Sequence, residues 1–220
     1  MNAMRVVIVG AGGHGHVVAD IFLARSRSEA VRVVGFLDDD SSLHGTQIMG
    51  IPVIGSFERL GDVEHDGVIV AIGTNRTRGR VFDACKARGE RLVNAIHPAA
   101  VVGTGARFGE GVMVCAGVVV NPLAVIGDDV ILNTSCTVDH HVGIEAHAHV
   151  GPGVHLAGEV RVGEGALVGV GANVIPRCAI GAWSVIGAGS AVITDVPAET
   201  TAVGVPARVI SGVYQVEQRP

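Results

Sequence analysis

The sequence predicts an α/β N-terminal domain with a small, mainly parallel sheet, followed by a parallel β-helix. Strand-like and helix-like segments alternate over residues 1–96. From residue 102 to residue 192, every sixth position is a large hydrophobic residue. Because this period takes over near residue 97, we predict two domains, 1–96 and 97–220.

The six-residue period is the strongest pattern in the chain. In a sequence that is 48% hydrophobic, such an unbroken series does not arise by chance. Six is neither the 3.6-residue period of a helix nor the two-residue alternation of a half-buried strand. It is typical of a β-helix in which each unit supplies one short strand and one turn. The positions are Val102, Phe108, Val114, Val120, Ile126, Leu132, Val138, Ile144, Val150, Leu156, Val162, Val168, Val174, Ile180, Ile186 and Val192.

The N-terminal half shows the alternation expected of a mainly parallel sheet. Apolar strands are predicted at 5–9, 31–37 and 67–72, and helices at 17–24 and 76–88. Thr74 and Asn75 stand where the second helix begins, so Asn75 is a candidate helix cap. The strand and helix order predicts a small Rossmann-like unit.

The first strand runs into Gly10-Ala11-Gly12-Gly13-His14-Gly15, which matches G-x-G-x-x-G. Backbone N–H groups at such a loop and helix N-terminus favour a phosphate or pyrophosphate. Asp38 and Asp39 follow the second strand directly, at the position where a dinucleotide-binding fold hydrogen-bonds the ribose. The domain is too short for a full NAD site, so the nucleotide half of a nucleotide-sugar fits better. A tight strand-to-helix turn with no ligand is the alternative.

Composition excludes several function classes. The net charge is −5 and no basic run is present, which argues against a nucleic-acid partner. No apolar run of membrane-spanning length and no signal-peptide pattern occur, so we predict a cytoplasmic protein with no membrane partner. The cysteines form no CxxC motif, which favours a reducing compartment; they are Cys85, Cys115, Cys136 and Cys178.

Histidines concentrate in one stretch of the predicted β-helix. If one coil takes three hexads, residues 18 apart stack on adjacent rungs, about 4.8 Å apart. Gly158 then lies one rung beyond His140. An imidazole beside a backbone N–H without a side chain is suited to acyl transfer, because the base removes a proton while the N–H stabilises the oxyanion. The five histidines are His140, His141, His147, His149 and His155.

Two other interpretations of the histidines remain open. In the first interpretation the histidines lie on outward faces of the β-helix and have no role in catalysis, which suits His147 and His155 best. In the other, histidines of neighbouring subunits bind zinc, as in the gamma carbonic anhydrases. His149 with His155, or His141 with His147, are six apart and would then share a face. Those hydratases carry no nucleotide-type N-terminal domain, so we predict no metal.

Together with the ending Val203-Gly204-Val205-Pro206-Ala207-Arg208 and the stretch Asn133-Thr134-Ser135…Asp139-His140, these features resemble the hexapeptide-repeat sugar acyltransferases. The most similar members are the bacillosamine and perosamine N-acetyltransferases and the sialic acid O-acetyltransferases. The resemblance covers residues 6–210. It implies a left-handed β-helix and a homotrimer with active sites between subunits. Acetyl-CoA would bind in the groove between neighbouring β-helices.

The resemblance also implies roles for individual residues. His140 would be the general base and the Gly158 N–H the oxyanion donor. Asn133 would contact substrate, and the motif formed by Gly73, Asn75 and Arg78 matches the same pocket. The nucleotide-sugar would lie on Gly12, Gly13, His14, Asp38 and Asp39. The co-substrate would contact His149, Gly158, Val170, Ala188, Pro206 and Arg208.

One position departs from the family. Asp or Glu usually follows the catalytic His and orients it, whereas this chain has His141. A protonated His141 would disfavour proton uptake by His140. Asp139 points to the opposite side of a strand. The sequence therefore leaves open a weaker base, a substrate amine that arrives deprotonated, or an acid supplied by a neighbouring subunit.

We predict an acetyl-CoA-dependent N-acetyltransferase acting on a nucleotide-linked amino sugar of the 4-amino-4,6-dideoxy type, by direct transfer. The alternative enzyme is a sialic acid O-acetyltransferase, because amine and hydroxyl acceptors need the same base and oxyanion donor. A non-catalytic nucleotide-sugar-binding protein and the zinc hydratase are the alternatives from other classes.

Overall fold

The computed structural model describes residues 3–210 and confirms the predicted fold class: an α/β domain followed by a parallel β-helix of the left-handed type. The N-terminal sheet has the order β3-β4-β2-β1-β5, and only β3 runs antiparallel to its neighbour. Its strands are β1 (Met4–Val9), β2 (Val31–Leu37), β3 (Gln47–Ile48), β4 (Ile51–Gly55) and β5 (Gly67–Val70).

The sequence prediction missed the edge of this sheet. Strands β3 and β4 are short, and β4 contains Pro52, which removes a backbone donor and weakens the strand signal. The predicted third strand, 67–72, ends at Val70 in the structure. The residues that follow it, 71–73, instead form part of a cavity wall.

Two α-helices and two short 3-10 helices complete the domain. Helix α1 (Gly13–Arg25) begins inside the glycine loop, four residues before the predicted start, and α2 (Asn75–Ala87) begins one residue early. The 3-10 helices span Ser41–Leu43 and Phe57–Asp62. Each α-helix has 13 residues, and within residues 3–210 no helix is long and apolar enough to cross a bilayer.

The β-helix is a three-sided coil, and its strands from residue 95 to residue 174 each pair in parallel with the strand 18 residues later, as the sequence predicted; in the last coil the spacing falls to 16 residues. We call its sides sheet I, sheet II and sheet III. Sheet I contains β6 (Ala95–Ile96), β9 (Met113–Val114), β12 (Ile131–Leu132), β15 (His149–Val150), β18 (Leu167–Val168), β21 (Val185–Ile186), β23 (Thr201–Val203) and the antiparallel β24 (Arg208–Ile210).

Sheets II and III form the other two sides. Sheet II contains β7 (Val101–Val102), β10 (Val119–Val120), β13 (Thr137–Val138), β16 (His155–Leu156), β19 (Asn173–Val174) and β22 (Ala191–Val192). Sheet III contains β8 (Arg107–Phe108), β11 (Val125–Ile126), β14 (Gly143–Ile144), β17 (Arg161–Val162) and β20 (Ala179–Ile180).

The periodic hydrophobes point inward. From Val114 to Val192 they are at most 3% exposed, whereas Val102 in the first coil is 44% exposed. The first residue of each strand faces outward. Met113 and Ile131 are nevertheless buried on sheet I, because they join the same apolar cluster as Val18 and Phe22 of α1. The N-terminal domain therefore covers part of sheet I.

The turns set three corners, named here by the sheets they join. Corner I–II includes 133–136, 151–154, 169–172 and 187–190; corner II–III includes 139–142 and 157–160; corner III–I includes 127–130, 145–148 and 163–166. Every sixth residue from 105 to 189 has a positive φ, the turn conformation that Gly adopts at least cost. His141 and His147 occupy two of these positions with side chains present.

Candidate functional site

A cavity of about 400 Å³ lies where the glycine loop meets corner I–II. It brings together five of the six residues predicted to bind substrate: Gly12, Gly13, His14, Asp38 and Asn133. The sixth, Asp39, does not line it, because its carboxylate accepts a hydrogen bond from the backbone N–H of Phe57 at 3.0 Å. The cavity therefore joins the nucleotide loop of one domain to the β-helix of the other.

The glycines of the loop serve different purposes. Gly10 has a φ of +107°, and a Cβ there would lie 2.8 Å from the carbonyl oxygen of Ala71. A Cβ on Gly15 would collide with the Gly10 carbonyl, so these two glycines allow α1 to start tightly against β1. Gly12 and Gly13 face open space and leave the first N–H groups of α1 accessible. An anionic phosphate is favoured at this helix end.

Asp38 shapes the loop. Its Oδ2 accepts from the backbone N–H of Ala11 at 2.7 Å, and its Oδ1 accepts from the N–H of Asp40 at 2.9 Å. Both carboxylate oxygens are thus engaged by backbone, although each has a second lone pair. The predicted contact between Asp38 and the nucleotide stays a prediction.

Two imidazoles meet at the cavity, which His14 lines. His14 and His149 meet edge to face, with ring centroids 5.3 Å apart. His149 is 8% exposed, and burial, reinforced by the charge of Arg78 and by His14, lowers its pKa to about 3. Burial and then Arg78 also lower the pKa of His14, whose Nδ1 has no hydrogen-bond partner within residues 3–210. Both rings are therefore neutral near pH 7.

Arg78 does not face the cavity, although its motif resembles part of the substrate pocket. It is 1% exposed, and its Nε donates to the Oδ2 of Asp129 at 3.1 Å. Its Nη2 donates to the carbonyl of His147, and its Nη1 donates to the carbonyl of Ile72 at 3.1 Å. Asn75 is not simply a helix cap, because its amide donates to two β-helix carbonyls, at 165 and 166. These side chains join α2 and the cavity wall to corner III–I.

His140 lies on corner II–III with its imidazole against Gly158. A Cβ on Gly158 would lie 2.6 Å from the His140 Cε1 and 2.7 Å from its Nε2, so only glycine leaves the ring this position. The Gly158 N–H donates no hydrogen bond within the described chain, whereas the next N–H, of Glu159, donates to the His140 carbonyl. The structure thus places an imidazole beside a free backbone donor, as the rung spacing predicted.

The Nδ1 of His140 faces another imidazole. The distance to the Nδ1 of His141 is 3.1 Å, and the two rings are nearly perpendicular. Asp139 accepts from the backbone N–H of His140 at 2.7 Å and from the amide of Asn121 at 2.8 Å, so it does not contact the ring. Within residues 3–210, no carboxylate orients His140.

The residues predicted to bind the co-substrate fall mainly in one column. Val170 and Ala188 are 18 residues apart and exposed along corner I–II, while Pro206 is exposed in the turn between β23 and β24, with Arg208 on β24. This column continues from the cavity toward the C-terminal end. His149 lies beneath the surface, so its predicted contact with the co-substrate stays a prediction.

The histidine pairs considered for zinc do not share faces. His141 is on corner II–III and His147 on corner III–I, while His149 and His155 lie on sheets I and II. Six residues advance the chain by a third of a coil, which explains the separation. Among residues 3–210, no group of three or more His, Cys, Asp or Glu side chains is placed to hold a metal ion.

The low pKa of His149 predicts an acid-dependent stability. In the unfolded chain His149 has a pKa of 6.5 and takes up a proton below that pH, whereas in the folded chain it stays neutral down to about pH 3. The free energy of unfolding therefore falls as pH decreases, by about 2 kcal/mol at pH 5 for this group. His149→Gln should remove this part of the pH dependence in urea unfolding between pH 7 and pH 5. Parallel decreases in wild type and variant would contradict the prediction.

Comparison with known proteins adds independent information. Residues 5–85 match the family model of the PglD N-terminal domain. A perosamine N-acetyltransferase from Caulobacter crescentus, solved with CoA and GDP-perosamine, is 42% identical, with 94% of this chain and 97% of that chain covered and a TM-score of 0.87. The acetyltransferase domain of PglB from Neisseria gonorrhoeae, in complex with acetyl coenzyme A, is 34% identical, with 95% and 100% covered and a TM-score of 0.88.

The chain also matches a second group of enzymes. The serine acetyltransferase of Salmonella typhimurium is 36% identical over an alignment of 123 residues, with 52% of this chain and 37% of that protein covered. The chain thus spans about a third of the length of the serine acetyltransferases it matches.

Proposed function

Because the chain belongs to the hexapeptide-repeat sugar acyltransferases, we propose that it transfers the acetyl group of acetyl-CoA to the amine of a nucleotide-linked amino sugar. The observation that carries this proposal is the agreement over nearly the whole chain with an enzyme solved with CoA and GDP-perosamine. The cavity supports it, because it joins a phosphate-favouring helix end to a polar side chain of the β-helix.

The chemistry follows from His140 and Gly158. The amine attacks the thioester carbonyl, a C–N bond forms, and the Gly158 N–H stabilises the oxyanion. His140 Nε2 accepts the proton that the amine loses. The tetrahedral intermediate collapses with cleavage of the C–S bond, and the proton returns to the sulfur, so that CoA leaves as a thiol.

Direct transfer, without an acyl-enzyme, is part of the proposal. Within the described residues no Ser or Cys side chain is hydrogen-bonded to His140. Cys136, the cysteine nearest in sequence, is fully buried, and burial raises the pKa of its thiol to about 12. A thiol in that state is a poor nucleophile.

The proposal is tested by free-thiol release from acetyl-CoA. The acceptors are UDP-, GDP- and dTDP-linked 4-amino-4,6-dideoxy sugars, free and CMP-linked sialic acid, and L-serine. Release with one amino sugar is the expected result. Release only with sialic acid would assign O-acetylation, and release only with serine would assign the activity named in the serine acetyltransferases. Binding of a nucleotide-sugar without any thiol release would favour the non-catalytic alternative.

The active site is proposed to combine two copies of the chain in a homotrimer. Asn133 of the cavity wall, Val170 and Ala188 lie on corner I–II, whereas His140 and Gly158 lie on corner II–III. Sheet II separates these corners within one chain. A cyclic trimer in which corner II–III of one copy lies beside corner I–II of the next would bring the two sets together.

Mixing two inactive variants checks this arrangement. His140→Asn removes the base, and Gly12→Glu puts a negative charge at the phosphate end of the cavity, where a Cβ meets no other atom. Co-expressed variants should recover up to about one quarter of wild-type activity, because random cyclic mixing pairs an intact cavity with an intact His140 at that frequency. Gly12→Ala, with wild-type activity, is the control. No recovery in purified mixed oligomers would show that one chain holds the whole site.

A further inference from the structure

The orientation of the Asn133 amide is determined by its neighbours. Its Oδ1 accepts from the backbone N–H of Thr134 at 2.8 Å and also faces the Cys115 thiol at 3.7 Å. A backbone N–H only donates, so the atom facing Thr134 must be the amide oxygen. The amide nitrogen therefore faces His149, with Nδ2 3.1 Å from the Nε2 of the imidazole.

This contact also determines the tautomer of His149. Because the Asn133 nitrogen only donates, His149 Nε2 must accept, and the ring proton must sit on Nδ1. The ring is also hydrogen-bonded to the backbone of Gly73. The charged and titratable groups near it are Arg78 and His14, and neither favours a second proton on the ring.

His149 is anchored to the cavity wall. The Gly73 carbonyl also lies 3.5 Å from the Nη1 of Arg78, and the same Nη1 donates to the Ile72 carbonyl. Ile72, Gly73 and Asn133 all line the cavity. The imidazole therefore connects the wall supplied by the N-terminal domain to the amide supplied by the β-helix.

We propose that His149 is a positioning residue that turns the Asn133 amide so that an N–H, and not its carbonyl, faces the substrate. One N–H of Nδ2 is used on His149, and the other has no hydrogen bond within residues 3–210. This N–H favours a substrate with an oxygen acceptor at the Asn133 side of the cavity. A sugar hydroxyl or a phosphate oxygen would serve. The inference rests on the proposed function for the identity of the substrate, but not for the geometry of the amide.

The hydrogen bonds to Thr134 and His149 together set the orientation of this amide. An Asn side chain has nearly the same shape after rotation by 180°, so packing alone does not choose its orientation. If the Asn133 amide rotated, its nitrogen would lie against the Thr134 N–H, donor against donor. Its oxygen would lie against His149 Nε2, acceptor against acceptor. Leaving such groups unsatisfied costs about 1–3 kcal/mol each.

Two substitutions of His149 separate positioning from packing. His149→Gln retains an acceptor for Asn133 and a donor for Gly73, whereas His149→Phe fills the space without either. The Kd of the nucleotide-sugar that binds wild type, chosen from the UDP-, GDP- and dTDP-linked 4-amino sugars, is measured by calorimetry without acetyl-CoA. We expect the Kd to rise about tenfold for His149→Phe, which corresponds to the loss of about one hydrogen bond. For His149→Gln the Kd should rise by less than about threefold.

Equal binding by the two variants, both folded at the assay temperature, would overturn the proposal. Nitrogen-15 NMR of labelled histidine provides a readout that needs no activity. At pH 7 and at pH 5, His149 should show a protonated Nδ1 and an unprotonated Nε2. In Asn133→Asp a carboxylate replaces the donor, and Nε2 should become protonated. A protonated Nε2 in wild type would overturn the proposal. If wild type binds no nucleotide-sugar, the proposed function fails, and the NMR result alone decides the role of His149.

Discussion

His140→Asn is expected to lower turnover by about 10²–10⁴-fold, the range that a general base contributes. Asparagine has a similar volume but accepts no proton at neutral pH. His140 is not among the residues predicted to contact acetyl-CoA. The affinity for acetyl-CoA, measured by calorimetry, should therefore stay within about threefold of wild type.

The matched control is His97→Asn, in the first coil of the β-helix. Its Nδ1 accepts only from the backbone N–H of Ala99, so its loss should leave turnover unchanged. Near-normal turnover of His140→Asn would show that another group takes the proton. Gly158→Ala provides a second route to the same conclusion, because its Cβ displaces the His140 ring without removing it.

The neighbouring His141 is the hydrogen-bond partner of the proposed base. To accept a proton at Nε2, His140 must hold its other proton on Nδ1 and donate it to His141 Nδ1. A carboxylate at position 141 would accept this hydrogen bond and also stabilise the charged imidazolium that forms when the amine is deprotonated. His141→Asp should therefore raise turnover in the thiol-release assay at pH 7, and unchanged or lower turnover would show that an imidazole orients His140 equally well.

The β-helix was predictable because its period is a local property of the chain. Each inward-facing hydrophobic residue lies six residues after the previous one. His140 and Gly158 are three such steps apart, which is one full coil, so their contact could be predicted. The same arithmetic shows why His141 and His147 do not share a face, since one count advances the chain by only a third of a coil.

The contacts between the domains were not predictable from spacing. Arg78 belongs to a motif that resembles a substrate pocket, yet it is buried against Asp129, which is 51 residues away. The sequence holds one partial signal: Asp129 occupies a turn position with positive φ, where glycine is the cheapest residue. Glu159 and Arg177 occupy equivalent turn positions at the surface, so this signal alone does not identify the buried pair.

Arg78→Met is expected to lower the free energy of unfolding by about 3–5 kcal/mol, because it leaves the Asp129 carboxylate buried without its partner. Arg78 and Asp129 are each 1% exposed. Burial raises the pKa of Asp129 and lowers the pKa of Arg78, so each depends on the other to stay charged. Urea unfolding followed by circular dichroism measures the change. Arg80→Met is the control on the same helix, since Arg80 is exposed and the side-chain hydrogen bond it makes within residues 3–210 goes to Thr77, and it should change stability by less than about 0.5 kcal/mol.

The double variant Arg78→Met with Asp129→Asn tests the reason for that loss. Asparagine tolerates the positive φ of residue 129 and still accepts from the Nδ1 of His147, which lies 2.8 Å from the carboxylate. Removing both charges leaves no buried ion, so the double variant should be more stable than Arg78→Met alone. Its cavity wall would still lack the guanidinium that holds the carbonyls of Ile72 and Gly73. Recovered stability with a raised KM for the nucleotide-sugar would therefore assign Arg78 to the shape of the cavity. Wild-type stability together with a wild-type KM would limit the role of Arg78 to holding the two domains together.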